Sequence, residues 1–513
     1  MTVSIKAIDE LKDLVVEKVH EQERKPGFVY QDLRLEIGLG KAAGSQNGNP
    51  LGAREDYGIS LGVRTIAMHG KYNAFGFKGA SIGEKQLKNL GKVIEECQET
   101  SFKRAKLNAM HKQKINARHA SLTVYSTELA QVEPIIDKVE GSFKKNPLSI
   151  ELSELIDESK KLSKEMKKIK EIKSAYVGID AGISRKLFVS SEGSVIDQSW
   201  PLTEAFVFCT AVGKGSADYS ASLGDTAGLE VLEGKNVFEK DLEEFSLFIA
   251  KGTAELSNAP PARDSGKEVN VVTDPWYNCL LVHEICGHPS EADRALKKEA
   301  AWAGRAWWFK SMTDNLLGKR VASENVSVFS DPGLKGYGNY KYDDEGVKAK
   351  KVYNIEKGIL KNFLNSRETA ALLGQEPNGG MRATDAEDVP LIRMNNTCFG
   401  EGDWKPEEII KETRNGYYLV GERIPSIGDT RQNFKITCWK LFEIKNGEIG
   451  RLYRNGGITA DSNKYLLSVD ACANDFKLFP VPNCGKGTPM QVMKVGNGGP
   501  TMRAKARITG ATR

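Results

Sequence analysis

The sequence predicts an α+β chain: a mixed N-terminal domain with long helices over residues 1–260, and a C-terminal domain over residues 270–513. The second is dominated by antiparallel strands plus one motif-bearing helix. Three observations predict this. Charged helical runs crowd residues 83–173, and alternating apolar and polar residues bracket them on both sides. Residues 258–270 (NAPPARDSGKEVN) set two prolines among polar residues and mark the boundary. Beyond them, Gly, Asn and Asp turns separate short β-like runs such as VSVFSDPG, KITCWKLFEIKNGEIG and PTMRAKARITG.

The elements follow in order. Ile5, Ile8, Leu11, Val15 and Val19 fall on one face of a docked N-terminal helix. Residues 56–77 alternate around Gly62, Gly70 and Gly76, which predicts strands joined by tight turns there. The helix-rich insert 83–173 reads as three charged runs, with Asn146-Pro147 breaking two of the helices apart. Strands return over residues 174–212, with turn signals at Gly182 and Gly193, and an amphipathic helix covers 237–256. One helical stretch is expected over residues 276–317.

Composition excludes several functions. The chain has 513 residues with 73 Lys+Arg and 68 Asp+Glu, a net charge of only +5, which argues against a dedicated nucleic-acid binder. The basic segment 101–127 reads as a solvated helix face. Gly38-Leu39-Gly40-Lys41 lacks the spacing of a phosphate loop. No apolar run approaches the ~18 residues of a membrane span, and the mixed-charge N-terminus is no secretory signal. The eight cysteines form no CxxC pair and no disulfide framework, so a soluble, cytoplasmic protein is expected.

The chemistry concentrates at His283-Glu284-Ile285-Cys286-Gly287-His288. The chain has only six histidines, and two of them flank a glutamate within six positions. Imidazoles suit zinc, and Glu284 could take a proton from a zinc-bound water. The spacing is HExxxH, however, and residues i and i+5 of a regular helix differ by about 140° in azimuth. A single π-type turn over residues 285–287 would bring both rings to one side. Gly287 makes that turn easy and Pro289 disturbs the regular ladder beyond it. Packed histidines without metal are the competing reading. A catalytic zinc needs a third protein ligand, for which Glu291, Cys286 and Cys484 are candidates. Cys484 lies among turn glycines beside Lys486, which would favour a thiolate. His20, His69, His111 and His119 read as surface or packing residues, and Trp302, Trp307 and Trp308 as packing.

Together with Tyr342-Asp343-Asp344-Glu345-Gly346, Asn365-Ser366-Arg367-Glu368-Thr369, Asn378-Gly379-Gly380-Met381-Arg382, Arg393-Met394-Asn395-Asn396-Thr397, Asn483-Cys484-Gly485-Lys486 and Gly498-Gly499-Pro500-Thr501, this motif resembles the TldD/PmbA family of metalloproteases. The order of motifs covers the chain from about residue 270 onward, and Gly62-Val63-Arg64 extends the likeness loosely into the N-terminal half. The resemblance implies zinc bound by His283, His288 and Cys484, with Glu284 as general base. It implies the catalytic type of subunit, a homodimer or a heterodimer with a paralogous subunit, and small or unfolded peptides as substrates in an enclosed cavity. The expected reaction is attack of a Glu284-activated, zinc-bound water on a peptide carbonyl, with Asn395 or Asn396 as candidate helpers at the oxyanion. The alternatives are a zinc amidase acting on a non-peptide small molecule, and a non-catalytic assembly or peptide-binding subunit with a structural metal.

Overall fold

Asn47 and Gly48 both adopt left-handed backbone, the conformation a two-residue hairpin requires, and they turn Phe28–Gln46 back into Asn49–His69. Gly70 makes the next turn, into Tyr72–Ser81. In this computed structural model, which describes residues 4–119 and 124–510, these strands open a seven-stranded sheet. Its order continues through Ile172–Ser190 to Val195–Val212, which also pairs with Ser216–Asp225 and, in parallel, with Ile136–Val139.

Gly62, Gly76 and Gly182 are not turns, contrary to the expectation. They lie inside strands and serve close approach instead. A Cβ on Gly62 would stand 2.0 Å from the Ala386 carbonyl oxygen, and one on Gly76 would stand 2.1 Å from that of Ser101. Gly182 faces Gly40 across the ladder. Gly193 does turn, as expected, at a φ of +95°.

The N-terminal helix Ala7–Glu21 buries Ile8, Val15 and Val19 against the sheet. The first two charged runs form one 29-residue helix, Leu90–Arg118, which buries Leu90, Ile94, Cys97, Ser101, Ala105 and Ala109 and exposes Lys103, Arg104, Lys114 and Arg118. Residues 124–135 are non-helical, and Pro134, Gly141 and Pro147 keep the middle of the insert from propagating a helix. Helicity resumes at Leu152–Lys167. Asp241 caps the helix Leu242–Asn258 in a capping box with Glu244.

In the C-terminal half, Asn415–Ile427, Glu268–Thr273, Met502–Thr509, Gly457–Asp461 and Asn433–Lys445 pair in a closed circuit. A second, six-stranded sheet runs from Ile359–Leu360 through Val352–Glu356, Val328–Ser330, Asn396–Phe399 and Gln491–Gly499 to Lys477–Lys486. The fully buried helix Pro275–Val282 packs against strands of both. The helical stretch expected over 276–317 is much shorter: between residues 288 and 317 only Ala292–Ala295 is α-helical. Lys297, Trp302 and Ala303 have positive φ, which no helix tolerates.

Ion pairs, buried at Arg64 and Lys186 and partly open to solvent at Glu192, join the two halves. Arg64 binds both Asp32 and Glu345, Lys186 reaches Asp344 at 3.0 Å, and Arg367 reaches Glu192 at 2.6 Å. No helix among the described residues is long and apolar enough to cross a membrane.

Candidate metal centre

The motif helix is fixed before the motif begins. Asp274 accepts the Tyr277 N–H at 2.6 Å, and Pro275 occupies the first turn, where its missing donor costs nothing. Tyr277 donates to the Ile436 carbonyl at 2.9 Å and Asn278 to that of Pro500 at 2.7 Å. Residues His283–Gly287 form a π-turn in which the His288 N–H reaches the His283 carbonyl, as the five-residue spacing requires. Gly287 has a second reason to lack a side chain, because a Cβ there would stand 2.0 Å from the Met394 sulfur.

The turn brings the rings together, with centroids 4.7 Å apart and planes nearly perpendicular. Each Nδ1 has its own acceptor. His283 pairs with Asn497 Oδ1 at 2.9 Å, and Asn497 is itself oriented by donating to the Thr397 carbonyl at 2.9 Å. His288 pairs with Glu291 Oε2 at 3.0 Å. The Nε2 atoms are thereby left to face Cys484, whose sulfur lies 3.7 Å from that of His288. One ligand atom from each of His283, His288 and Cys484 lies within 4.8 Å of the others. The register shift between Val481 and Cys484 re-aims this segment of strand.

The donor set fits zinc. Nitrogen and sulfur ligands of a tetrahedral ion, at about 2.0 and 2.3 Å from it, lie about 3.5 Å apart, close to the spacing seen here. Burial pushes the Cys484 thiol up, but the two imidazoles and Arg393 outweigh it and hold the thiol well below its ordinary value. The thiolate in turn raises His283 to about 9 against the effect of burial. Lys486 is not the cation responsible: its ammonium is taken by Asp293 at 2.7 Å, the Ile392 carbonyl at 2.6 Å and Glu291 at 3.2 Å.

The other candidates separate cleanly. Glu291 accepts from His288, from Arg294 at 2.8 Å and from Lys486, so it orients a ring from behind. Cys286 is wholly buried, and burial alone pushes its thiol up. Asn396 is engaged with the Gly338 N–H and the Leu334 carbonyl, a packing role, while Asn395 Oδ1 is buried without a partner. His20, His69, His111 and His119 are exposed.

Glu284 has one oxygen, Oε2, bound by Arg431, whose remaining donors reach the carbonyls of Ala303 at 2.9 Å and Trp302 at 3.2 Å. Its Oε1 has no protein donor among the described residues. Burial raises this carboxyl, yet Arg431 and the two imidazoles bring it below its ordinary value. Sequence reading assigned no role to Arg431, Arg393 or Asn497, although Arg393 opens the Arg393-Met394-Asn395-Asn396-Thr397 motif. Asn497 directly precedes the Gly498-Gly499-Pro500-Thr501 motif, which marked the place without its role, and nothing around Arg431 signals one.

Comparison with known proteins agrees with this architecture. The PmbA/TldA metallopeptidase C-terminal domain matches residues 265–510. A metalloprotease of Methanocaldococcus jannaschii is 30% identical over 486 residues, covering 94% of this chain and 97% of that protein. A zinc metalloprotease TldD homolog of Saccharolobus solfataricus is 33% identical over 242 residues, 46% of this chain and 50% of that one. The crystal structure of TldE from Thermococcus kodakarensis shares the fold, with a TM-score of 0.68 and 16% identity over 98% of this chain and all of that one. The chain belongs to the PmbA/TldD family of metalloproteases.

Proposed function

We propose that this chain is a zinc-dependent peptidase acting on small or unfolded peptides. The observation that carries the reading is the approach of both imidazoles to the Cys484 sulfur with each Nδ1 already engaged. His283, His288 and Cys484 would hold the ion, which when bound supplies Lewis acidity to a water and to the scissile carbonyl.

The chain's own groups do the rest. Arg431 holds one oxygen of Glu284 in place and keeps the carboxylate ionised, leaving Oε1 to take a proton from the attacking water and return it to the leaving amine. Asn497 and Glu291 fix the two rings by their Nδ1 hydrogens, so neither imidazole has to reorient on metal binding. Glu284 is 8% exposed and both histidines 3%, which favours chains that can enter unfolded. Pairing with a second copy or a paralogous subunit is part of the same reading and is tested by the mass of the assembly in solution.

The test compares Glu284→Gln and Cys484→Ala with wild type by metal analysis and by cleavage of a panel of unstructured peptides. Glu284→Gln is expected to keep stoichiometric zinc and lose cleavage. Cys484→Ala is expected to lose the zinc. Full cleavage by the first, or unchanged occupancy in the second, overturns the corresponding role. Zinc-loaded wild type that cleaves nothing in the panel would favour a structural metal.

A further inference from the structure

A cavity of about 310 Å³ lies between the N-terminal sheet and the loops of the C-terminal half. Met493 forms part of its wall and is the cross-strand partner of Cys484, so the two side chains leave the same face of the sheet. Arg382 also lines the cavity. Its Nη1 donates to the Met394 carbonyl at 2.9 Å, and Met394 is the residue packed against Gly287 in the π-turn. Through these two contacts the cavity lies beside the candidate metal centre.

Arg382 stands out among the charges here. Its guanidinium lies over the Tyr340 ring, 4.6 Å from the centroid, and it has no carboxylate partner among the described residues. The acids of the cavity are committed elsewhere. Asp344 is bound to Lys186 at 3.0 Å and to the Ala383 N–H at 2.7 Å, and Glu36 faces Lys186 at 3.3 Å. Asp343 accepts the N–H groups of Glu345, Val347 and Met381. Asp385 is at the exposed rim, with no ion pair to Arg382. A half-buried cation with no ion-pair partner is costly to keep, and the planar fork of arginine matches a carboxylate in two parallel hydrogen bonds.

We infer that Arg382 is the anchor of a subsite that binds a carboxylate of the peptide, within reach of the candidate metal centre. Tyr340 packs against the guanidinium, the Met394 carbonyl takes one Nη1 hydrogen, and the other donors, which have no protein acceptor among the described residues, are left to the ligand. The cavity volume suits a terminal segment of a residue or two. The carboxylate is either the C-terminus of the peptide or an Asp or Glu side chain, and both present the same two oxygens. This inference deepens the peptidase reading and rests on it only for turnover, because binding can be measured without cleavage.

The experiment uses the full-length, zinc-loaded chain and three matched N-acetylated peptides: one with a free C-terminus, its C-terminal amide, and the amide with an internal Gln replaced by Glu. Calorimetry on wild type is expected to show one acid form binding about 10- to 100-fold tighter than the neutral amide. Which acid form gains identifies the source of the carboxylate. Arg382→Gln is expected to bring all three peptides to one affinity, and Arg382→Lys, which keeps the charge but not the fork, to retain part of the preference. Equal affinities in wild type, or a preference that survives Arg382→Gln, overturns the assignment. The wild-type comparison does not depend on any variant folding. Acid-selective binding without cleavage counts against the peptidase reading alone, whereas cleavage without acid selectivity counts against the subsite alone.

Discussion

Glu291 gives the sharpest test of how the centre is supported. It is completely buried, and its Oε2 takes three donors: His288 Nδ1 at 3.0 Å, Arg294 Nε at 2.8 Å and Lys486 Nζ at 3.2 Å. Glu291→Gln keeps an acceptor for His288 but removes the charge that two buried cations share. Breaking a buried ion pair costs about 3–5 kcal/mol when the surviving charge has no other partner. Here Lys486 retains Asp293 at 2.7 Å and Arg294 retains the Ala301 carbonyl at 2.8 Å, so a loss of about 2 kcal/mol is expected. The weaker outer acceptor also lowers the basicity of His288 as a ligand, for which a 10- to 100-fold loss of metal affinity is expected. Glu291→Ala strands the His288 N–H as well and should lie at the far end of both ranges. Zinc affinity is read by competition with a chromophoric chelator, and stability by thermal unfolding of the metal-free protein. If Glu291→Ala binds zinc as tightly as wild type while the metal-free protein melts early, Glu291 is a folding residue only, and the outer-partner reasoning is wrong.

Two further outcomes follow from single contacts. Gly287→Ala drives a methyl against the Met394 sulfur and should cost about 2 kcal/mol or more, while Met394→Ala alone leaves a cavity at a cost of about 2–5 kcal/mol. Together they should lose at least ~1 kcal/mol less than the sum, and additive melting shifts would remove the contact from the explanation. Asp274, buried at the helix cap, is raised to about 7 by burial against its two backbone donors. A folded value above the unfolded one means that its stabilisation is complete below about pH 4 and is lost as pH rises through 7. Asp274→Asn should therefore gain on wild type between pH 4 and pH 8 by up to about 4 kcal/mol, and a stability difference that stays flat with pH contradicts it.

Much of this site was legible because its geometry is local. Four residues between the histidines, the last of them a glycine, required a widened turn, and the structure has one at His283–Gly287. Cys484 is nearly two hundred positions away: its turn glycines and Lys486 made it one candidate among three, and only the order of motifs singled it out. Asn497, Arg393 and Arg431 were out of reach because each acts from a strand or loop brought in by tertiary folding, and none belongs to a spacing that a helix or a turn imposes. The glycines misled for a related reason. Gly62 and Gly76 make room for a loop and a helix passing over the sheet, and in sequence such a residue is indistinguishable from one in a turn. The helical reading of residues 296–317 failed because tryptophans and alanines carry the periodicity there while the backbone enters the left-handed region three times between Lys297 and Ala303.

The pairs that Arg64, Lys186 and Glu192 form with Glu345, Asp344 and Arg367 bear on any attempt to prepare the C-terminal half by itself. A fragment starting near residue 265 would carry two acids and one guanidinium whose counter-charges had been left on the discarded piece. Truncation would thus expose a stripe of mismatched charge where the intact molecule has a sealed seam, and loss of turnover in such a fragment would report on that seam before it reported on catalysis.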